Sequence, residues 1–222
     1  MTYWITRLLL IPLARFIWRP VVEGRDNVPA QGPLLIASNH LSFIDSIVIP
    51  LVAPRRVVFL AKAEYFTATD PRRRAVGKFF AALGAIPVQR GSGRAAQAAL
   101  DSALEVLSRD EGFGIYPEGT RSRDGRLYRG RTGVAWLALT AGCPVVPVGL
   151  VGTDRIQPVG ARFPRIRRAT VRFGAPLDFT DLHGMARSGK ARREVTDQVM
   201  DAIAELTGQQ RVHAYNDGSE AA

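Results

Sequence analysis

Short, unbroken apolar runs alternate with helix-like segments along most of this 222-residue sequence. The runs PLLIA, RVVFLA, GFGIY and PVVPVG have the length of strands, and they lack the polar–apolar alternation of a half-exposed strand. Strands that are apolar throughout are typical of parallel sheets, because helices cover both faces of such sheets. We therefore predict an α/β fold with a mainly parallel central sheet and helices on both faces.

The stretches between these runs carry the signals of helices. Residues 93–109 (GRAAQAALDSALEVLSR) place their apolar residues on one helical face. The stretch TGVAWLALTAG predicts another helix, which ends at Gly142 in a left-handed cap. Neither an internal repeat nor a linker divides the chain, so we expect one domain over residues 21–208. A polar tail, expected to be frayed, follows at 209–222.

The charge of the sequence is strongly basic, with a formal net charge of +10 and a pI of about 10.7. The arginines cluster at residues 70–78, 121–131 and 162–172. Such a balance favours an anionic membrane surface, a phosphorylated substrate or nucleic acid as partner. Few aromatic residues interleave with the clusters, as single-stranded nucleic acid would require, so we expect no nucleic-acid partner. Cys143, the single cysteine, has apolar neighbours and is expected to be a buried structural thiol.

The first 20 residues form an apolar segment that is bracketed by tryptophans and interrupted by arginines. From Trp4 to Trp18 a straight helix would span about 22 Å, less than the ~30 Å core of a bilayer, and Pro12 would kink it. No small-residue cleavage site of a signal peptide follows. We predict an amphipathic helical segment over residues 1–20 that lies in the membrane interface; short helices packed on the protein's own core are the alternative. The expected membrane contacts are Trp4, Arg7, Leu8, Leu9, Arg15, Trp18 and Arg19.

Side chains that can act as acids, bases or anion ligands follow most of the predicted parallel strands. In open α/β sheets, ligands bind beyond the carboxyl ends of the strands, where such side chains meet. The residues found there are His40, Asp45, Lys62, Arg90, Glu118 and Arg121.

The stretch SNHLSFIDS places His40 five positions before Asp45. A neutral imidazole is a competent general base near pH 7, and a carboxylate can fix its tautomer. Ser42 and Asp45 also match the S-x-x-D pattern of a capping box, which would occupy the carboxylate at a helix start. The spacing by itself leaves both interpretations open.

Two loops that follow strands suit a phosphate group. Arg90 precedes the sequence GSG, and residues 118–122 (EGTRS) combine a carboxylate, a bare glycine, two hydroxyls and Arg121. Gly-rich turns and guanidinium groups both bind phosphate, although an ordinary turn with a surface arginine is the alternative. His183, in DFTDLHG, has acidic neighbours but no such loop beside it. No GxSxG, CxxC, HExxH or Walker motif supports a serine hydrolase or a metal enzyme.

Four stretches occur in the order NHLSFID, GAIPVQR, YPEGTRS and CPVVPVGLVG. Together they resemble the sequence blocks of the glycerophospholipid acyltransferase family, in particular the 1-acylglycerol-3-phosphate acyltransferases. The H-x4-D block of that family matches His40 and Asp45. Its later blocks match Gly84 to Arg90, Tyr116 to Ser122, and Val146 to Val148.

The resemblance implies a role for each matched residue. His40 would deprotonate the acceptor hydroxyl, and Asp45 would hold and polarise the imidazole. The implied substrate-binding residues are Arg90 and Arg121 for phosphate, with Glu118, Gly119, Thr120 and Ser122 around the glycerol. Lys62 is added to them because it follows a strand. Val146, Pro147 and Val148 would shape the acyl or acceptor pocket.

The implied reaction moves a fatty acyl group from acyl-CoA or acyl-carrier protein to the free hydroxyl of lysophosphatidic acid. It would give phosphatidic acid without a covalent acyl-enzyme. The alternative acceptors are glycerol 3-phosphate, a lysophospholipid and a lyso-ornithine lipid. No metal or redox cofactor is expected, because base catalysis and oxyanion stabilisation suffice for acyl transfer.

The expected location is the cytoplasmic face of the cell membrane, as a peripheral or monotopic protein on an anionic surface. A non-catalytic binder of anionic surfaces is the rival hypothesis. Such a binder would have no reason to place His40, Asp45 and Glu118 at strand ends.

Overall fold

The central sheet is described by a computed structural model that covers residues 8, 12, 16–89, 93–158, 160–161 and 163–217, with only the backbone of residues 72 and 73. Its strands within these ranges are β1 (Val21–Glu23), β2 (Leu34–Ser38), β3 (Val57–Lys62), β4 (Ile86–Val88), β5 (Gly112–Ile115), β6 (Val145–Val151) and β7 (Thr170–Phe173). They form one sheet in the order β1-β7-β6-β2-β5-β3-β4. All neighbours are parallel except β6 and β7, which are antiparallel. The predicted mainly parallel α/β fold is confirmed.

The connections between the strands are mostly helical. The α-helices of the described ranges are α1 (Asp45–Val52), α2 (Pro71–Ala82), α3 (Arg94–Leu107), α4 (Gly133–Ala141), α5 (Thr153–Ile156) and α6 (Gly189–Thr207), with short 3-10 turns at Arg25–Asn27, Ala63–Tyr65 and Thr180–Leu182. Helix α4 ends where the sequence predicts, because Gly142 adopts a φ of 60° and its N–H bonds to the Ala138 carbonyl.

The two faces of the sheet are buried in separate cores, which explains why the strands read as continuous apolar runs. In β2, Leu34 and Ile36 pack into one core, together with Ile49 and Val52 of α1. Their neighbours Leu35 and Ala37 point into the other core, which contains side chains of α3, α4 and α6. Successive strand residues point to opposite faces, so only a sheet covered on both faces needs every residue to be apolar.

Cys143 lies in the second of these cores with 2% of its surface exposed. Burial raises the pKa of its thiol to about 11, so the thiol stays protonated and unreactive at neutral pH. The predicted buried structural thiol is confirmed.

The predicted N-terminal segment falls mostly outside the described residues, and this holds for Trp4, Arg7, Leu9 and Arg15. Residues 16–18 are helical, and Leu8 is 74% exposed. The Trp18 indole N–H donates to the Arg165 carbonyl at 3.1 Å, and Arg19 is exposed. No helix in the described ranges has the length and apolarity needed to cross a bilayer.

The expectation of a frayed tail is wrong for residues 209–217, which we term the C-terminal strap. The strap lies along the loop that follows β5. The Leu127 N–H donates to the Gln210 carbonyl at 2.9 Å, and the Val212 N–H donates back to the Leu127 carbonyl at 2.8 Å. The Arg129 N–H donates to Ala214 at 3.0 Å. These backbone bonds give polar residues a defined place that a reading of composition does not predict.

Candidate active site

The carboxyl end of β2 is the centre of the site, because β2 lies between β5 and β6. Two residues beyond β2, the His40 Nδ1 lies 2.9 Å from the Asp45 Oδ2. His40 is 8% exposed and Asp45 is fully buried. The predicted pairing of the imidazole with the carboxylate is therefore present in the structure.

Asp45 also serves the start of helix α1. Its Oδ2 accepts the backbone N–H groups of Leu41 and Ser42, both at 2.7 Å. The bond from Ser42 is one half of a capping box, so the contacts expected from both interpretations are present on one carboxylate. The other half is missing, because the Asp45 N–H donates to the Ser42 carbonyl at 3.3 Å and not to its hydroxyl. The Ser42 hydroxyl donates to the Gln157 carbonyl at 2.7 Å.

The orientation of the imidazole is fixed from two sides. Asp45 accepts at Nδ1, which leaves Nε2 as the nitrogen available to a substrate. The Tyr116 ring stacks on the imidazole with centroids 3.9 Å apart and an interplanar angle of 9°. Tyr116 is itself held by the Ser46 hydroxyl at 3.1 Å and by the Phe59 ring at 5.3 Å. The imidazole is thus held in one orientation by residues of the protein itself.

Glu118 is fully buried and connects two loops. Its Oε1 accepts the His40 backbone N–H at 3.1 Å, and its Oε2 accepts the Tyr128 N–H at 3.0 Å. Burial raises the pKa of this carboxyl to about 7, while the two backbone donors act in the opposite direction. The two bonds show that Glu118 holds the backbone of His40 in place, and its predicted contact with the glycerol stays a prediction.

The EGTRS loop is joined to the histidine by its backbone as well. The Ser122 N–H donates to the His40 carbonyl at 2.7 Å, and the Gly119 N–H closes a turn on the Tyr116 carbonyl at 2.9 Å. Gly119 has a φ of 78°, and a Cβ there would lie 2.9 Å from the Arg131 Nε. Only glycine suits this position, since its conformation is left-handed and a side chain packs on its backbone.

The remaining predicted substrate-binding residues differ in their exposure and in their partners. Arg121 and Thr120 are partly exposed beside the histidine loop, whereas the Ser122 hydroxyl is buried and donates to the Asp124 carboxylate at 3.0 Å. Lys62 ends β3 and pairs with Glu64 at 3.0 Å on the surface. Arg90 lies outside the described residues, so its role stays a prediction.

A cavity of about 460 Å³ opens beside the histidine loop. Its walls are almost entirely apolar and come from the segment around Trp18, the start of α1, helix α2 and the segment after α5, including Phe43, Ile44, Ile47, Val48, Val76, Phe79 and Ile156. The predicted pocket residues Val146, Pro147 and Val148 are not among its walls. Val146 and Val148 are fully buried in the core, in the same cluster as Val48 and Val52, so they support the cavity from behind.

Asn39 is a site residue that the sequence reasoning passed over, although it directly precedes His40. Its amide accepts the Leu150 N–H at 2.8 Å and donates to the Leu150 carbonyl at 2.9 Å, as a paired strand would. It also donates to the Gln209 side chain at 2.8 Å. A polar side chain directly after a buried strand could have indicated this role for Asn39. No local feature of the sequence indicates the role of Gln209.

A model of the family described as Acyltransferase matches residues 19–151, which contain His40, Asp45 and the EGTRS loop. The chain belongs to the Acyltransferase family. The match covers more than half of the chain and ends at the last residue of β6.

Relatives in this family carry the name 1-acyl-sn-glycerol-3-phosphate acyltransferase. The chain is 31% identical to the chloroplastic protein of Brassica napus over 63% of its own length and 39% of the relative's. It is 31% identical to the Borreliella burgdorferi protein over 60% and 52% of the two lengths. The alpha protein of Mus musculus is also 31% identical, over 65% and 50%. The chain thus spans about half or less of these relatives.

The fold is also found in a solved structure. The crystal structure of the 1-acyl-sn-glycerophosphate (LPA) acyltransferase PlsC from Thermotoga maritima matches with a TM-score of 0.66 and 25% sequence identity. The match covers 90% of this chain and 80% of that one. It extends past the segment that the family model matches.

Proposed function

We propose that this protein transfers a fatty acyl group from an acyl thioester to the free hydroxyl of lysophosphatidic acid, giving phosphatidic acid. The observation that carries this proposal is the buried His40–Asp45 pair. The backbone of His40 bonds to the EGTRS loop, and Phe43 and Ile44, which follow it, line an apolar cavity. The names of the relatives and of the structural neighbour support the same acceptor.

The reaction needs one base and no covalent enzyme intermediate. Neutral His40 removes the proton of the acceptor hydroxyl through Nε2 while its oxygen attacks the thioester carbonyl. The imidazolium that forms is stabilised by the Asp45 carboxylate at 2.9 Å. When the tetrahedral intermediate collapses, the carbon–sulfur bond breaks and the imidazolium returns its proton to the departing thiolate. The products are an ester and a free thiol.

The cavity is our candidate for the acyl chain. Burying a methylene group in an apolar site contributes about 0.8 kcal/mol. Phe43 and Ile44 follow His40 closely in the sequence and line the cavity. A fatty acyl chain in the cavity would therefore extend away from the catalytic base. This arrangement separates the anionic end of an acceptor, at the arginine-bearing loop, from the apolar end of an acyl group.

The surface around the cavity mouth suits a lipid bilayer. Phe16, Phe163 and Ile166 are each more than 70% exposed, and exposed Arg167 and Arg168 follow directly. The bond from Trp18 to Arg165 joins the two segments that carry these apolar side chains. We propose a peripheral or monotopic position on the anionic, cytoplasmic face of the membrane, with apolar side chains inserted and arginines at the headgroups.

Vesicle sedimentation tests this surface. Phe163→Ser with Ile166→Ser should weaken binding to phosphatidylglycerol vesicles about tenfold, because two inserted side chains are lost. Met185→Ser, at another exposed apolar residue, is the matched control. Equal binding by all three proteins would reject this surface.

The decisive experiment is a panel of purified donors and acceptors. Acyl-CoA and acyl-carrier protein are each offered with lysophosphatidic acid, glycerol 3-phosphate, a lysophospholipid and a phosphate-free monoacylglycerol. We expect the highest kcat/KM with lysophosphatidic acid, and positional analysis of the product then gives the acylated hydroxyl. Preference for the phosphate-free acceptor would reject both the proposed acceptor and the phosphate role of Arg121.

A further inference from the structure

The C-terminal strap carries a tyrosine between two arginines. The guanidinium carbons of Arg129 and Arg131 lie 5.2 Å and 5.4 Å from the Tyr215 ring centroid. Tyr215 is 46% exposed, which is unusual for a large ring with two partners. Both distances are within the range of a cation–π interaction, so the ring holds two like charges on one small surface.

This arginine pair is connected to the catalytic loop at three points. The Arg131 side chain packs against the bare backbone of Gly119, and the Arg131 N–H donates to the Pro117 carbonyl at 2.7 Å. The Asn216 amide of the strap donates to the Arg121 carbonyl at 3.2 Å. The strap therefore contacts Arg121, Arg129 and Arg131, although Tyr215 and Asn216 lie more than 80 positions later in the chain.

Arg121, Arg129 and Arg131 differ from nearby arginines in their partners among the described residues. Neighbouring arginines have acidic partners, as in Arg126–Asp124, Arg193–Asp197 and Arg211–Asp201. No such ion pair involves Arg121, Arg129 or Arg131 within the described residues. Holding like charges close together costs free energy, and a bound anion would offset this cost by neutralising them. The arrangement therefore points to an anionic ligand.

We propose that the C-terminal strap completes a phosphate site in which Tyr215 presents Arg129 and Arg131 to the phosphate monoester of a substrate, beside Arg121. The inference rests on the proposed function and assigns Tyr215 a positioning role. The acceptor is the favoured source of the phosphate. Its phosphate is only a few bonds from the reacting hydroxyl, and Arg131 covers Gly119, the neighbour of the Glu118 that bonds to His40. Guanidinium groups bind phosphate through paired N–H donors.

Steady-state kinetics of Tyr215→Leu and Arg131→Gln test the site. With saturating acyl-CoA, we expect the KM for lysophosphatidic acid to rise about tenfold in each variant. Arg131→Gln removes a guanidinium that binds the phosphate, and Tyr215→Leu removes the ring that positions both guanidinium groups. The value of kcat should stay within about twofold. The KM for monoacylglycerol should not change, because this acceptor has no phosphate. Tyr215→Phe keeps the ring and should behave like the wild-type protein.

Three outcomes separate the possibilities. A rise confined to the KM for acyl-CoA would support the phosphate site and assign it to the donor. Equal rises with both acceptors, or no change in the KM of the acceptors or of acyl-CoA, would overturn the proposal. The matched control is His213→Ala, at an exposed residue of the same strap, and thermal unfolding verifies that each variant is folded.

A direct binding measurement keeps the inference separate from the proposed reaction. Calorimetric titration with glycerol 3-phosphate needs no turnover. If the wild-type protein acylates nothing, the proposed function fails. The phosphate site still stands if this probe binds the wild-type protein about tenfold more tightly than Tyr215→Leu, and it falls if the two proteins bind alike.

Discussion

The neighbourhoods of His40 and His183 both hold an aspartate five positions away, but they differ in how that carboxylate is placed. Around His40, the carboxylate of Asp45 is fully buried and bonds to the imidazole at 2.9 Å. Around His183, the Asp178 carboxylate is exposed and accepts the Thr180 N–H and hydroxyl, at 2.9 Å and 2.6 Å. These bonds from Thr180 lower the pKa of Asp178. Similar residues at similar spacing thus give either a base with its partner or a capped turn.

The difference lies in what surrounds the carboxylate. Asp45 follows a central strand, so the sheet and helix α1 bury it, and its donors among the described residues are the imidazole and two backbone N–H groups. Asp178 lies in a surface loop, where a nearby hydroxyl satisfies it. A buried carboxylate must be paired, and a preorganised partner is what a general base requires. Burial therefore turns a common spacing into a functional one.

The largest effect should come from removing the base. His40→Ala is expected to lower kcat at least about 10³-fold, because general-base catalysis contributes on this scale. Initial rates with lysophosphatidic acid and acyl-CoA measure it. Binding to anionic vesicles should be unchanged, since His40 is buried away from the apolar surface residues. Retention of most activity would remove His40 from the mechanism.

Asp45→Asn should have the next largest effect. The amide oxygen can keep the bonds to His40, Leu41 and Ser42 now made by Oδ2, whereas Oδ1 has no partner in the described structure. The variant therefore loses the charge and retains the loop. We expect kcat to fall about 10²-fold with a small change in thermal stability.

Asp45→Ala is the comparison for that variant, because it leaves two buried N–H groups without acceptors and should be much less stable. Equal stability of the two variants would mean that the capping bonds contribute little.

Glu118→Gln should have a moderate, pH-dependent effect. The folded protein holds the pKa of Glu118 at about 7, above its ordinary 4.5. Its carboxyl therefore binds a proton more tightly in the folded state, and its contribution to the free energy of unfolding falls by up to about 3 kcal/mol as the pH rises from 4.5 through 7. Denaturant unfolding of both proteins at about pH 5 and pH 8 measures this contribution.

As the pH rises from about 5 to about 8, the free energy of unfolding of the wild-type protein should fall relative to that of Glu118→Gln. At about pH 5 the variant should be less stable than the wild-type protein. The NH2 group of the glutamine cannot accept a hydrogen bond, so one of the two backbone N–H groups loses its acceptor. A difference in stability that does not vary with pH would contradict the raised pKa.

The smallest effect is expected for His183→Ala. His183 is exposed, and its acidic neighbour Asp178 is already occupied by Thr180. We expect kcat and KM to stay within about twofold of the wild-type values in the same assay. A loss comparable with that of His40→Ala would mean that burial does not distinguish the two neighbourhoods.

Much of the fold and of the catalytic pair could be predicted from the sequence, because both depend on local patterns. Apolar runs gave a parallel sheet, and His40, Asp45 and Glu118 could be located from the strands they follow. The antiparallel direction of β7 could not be predicted, since its sequence gives no direction. Lys62 is the last residue of β3 and pairs with Glu64 on the surface. A place at the end of a strand therefore does not tell by itself whether a side chain enters the site, and the role of Lys62 stays a prediction.

The contacts made by the C-terminal strap were beyond sequence reasoning for another reason. Gln209 is 170 positions from Asn39, and Asn216 is 95 positions from Arg121. No local pattern links residues so far apart, and polar residues at a chain end usually indicate fraying. The buried role of Glu118 was missed because its motif shows which chemistry a carboxylate offers, and not whether the fold exposes it.

The bond between Asn39 and Gln209 has a consequence for the order in which the protein becomes active during its synthesis. The ribosome releases the N-terminal segment first, and strand β2 needs neighbours from later in the chain. The loop that holds His40 acquires its last side-chain partner only when residue 209 has emerged. A nascent chain therefore exposes His40 and Asp45 before the loop that carries them has all of its contacts, and this loop is complete only after residues 209–217 have folded against the domain.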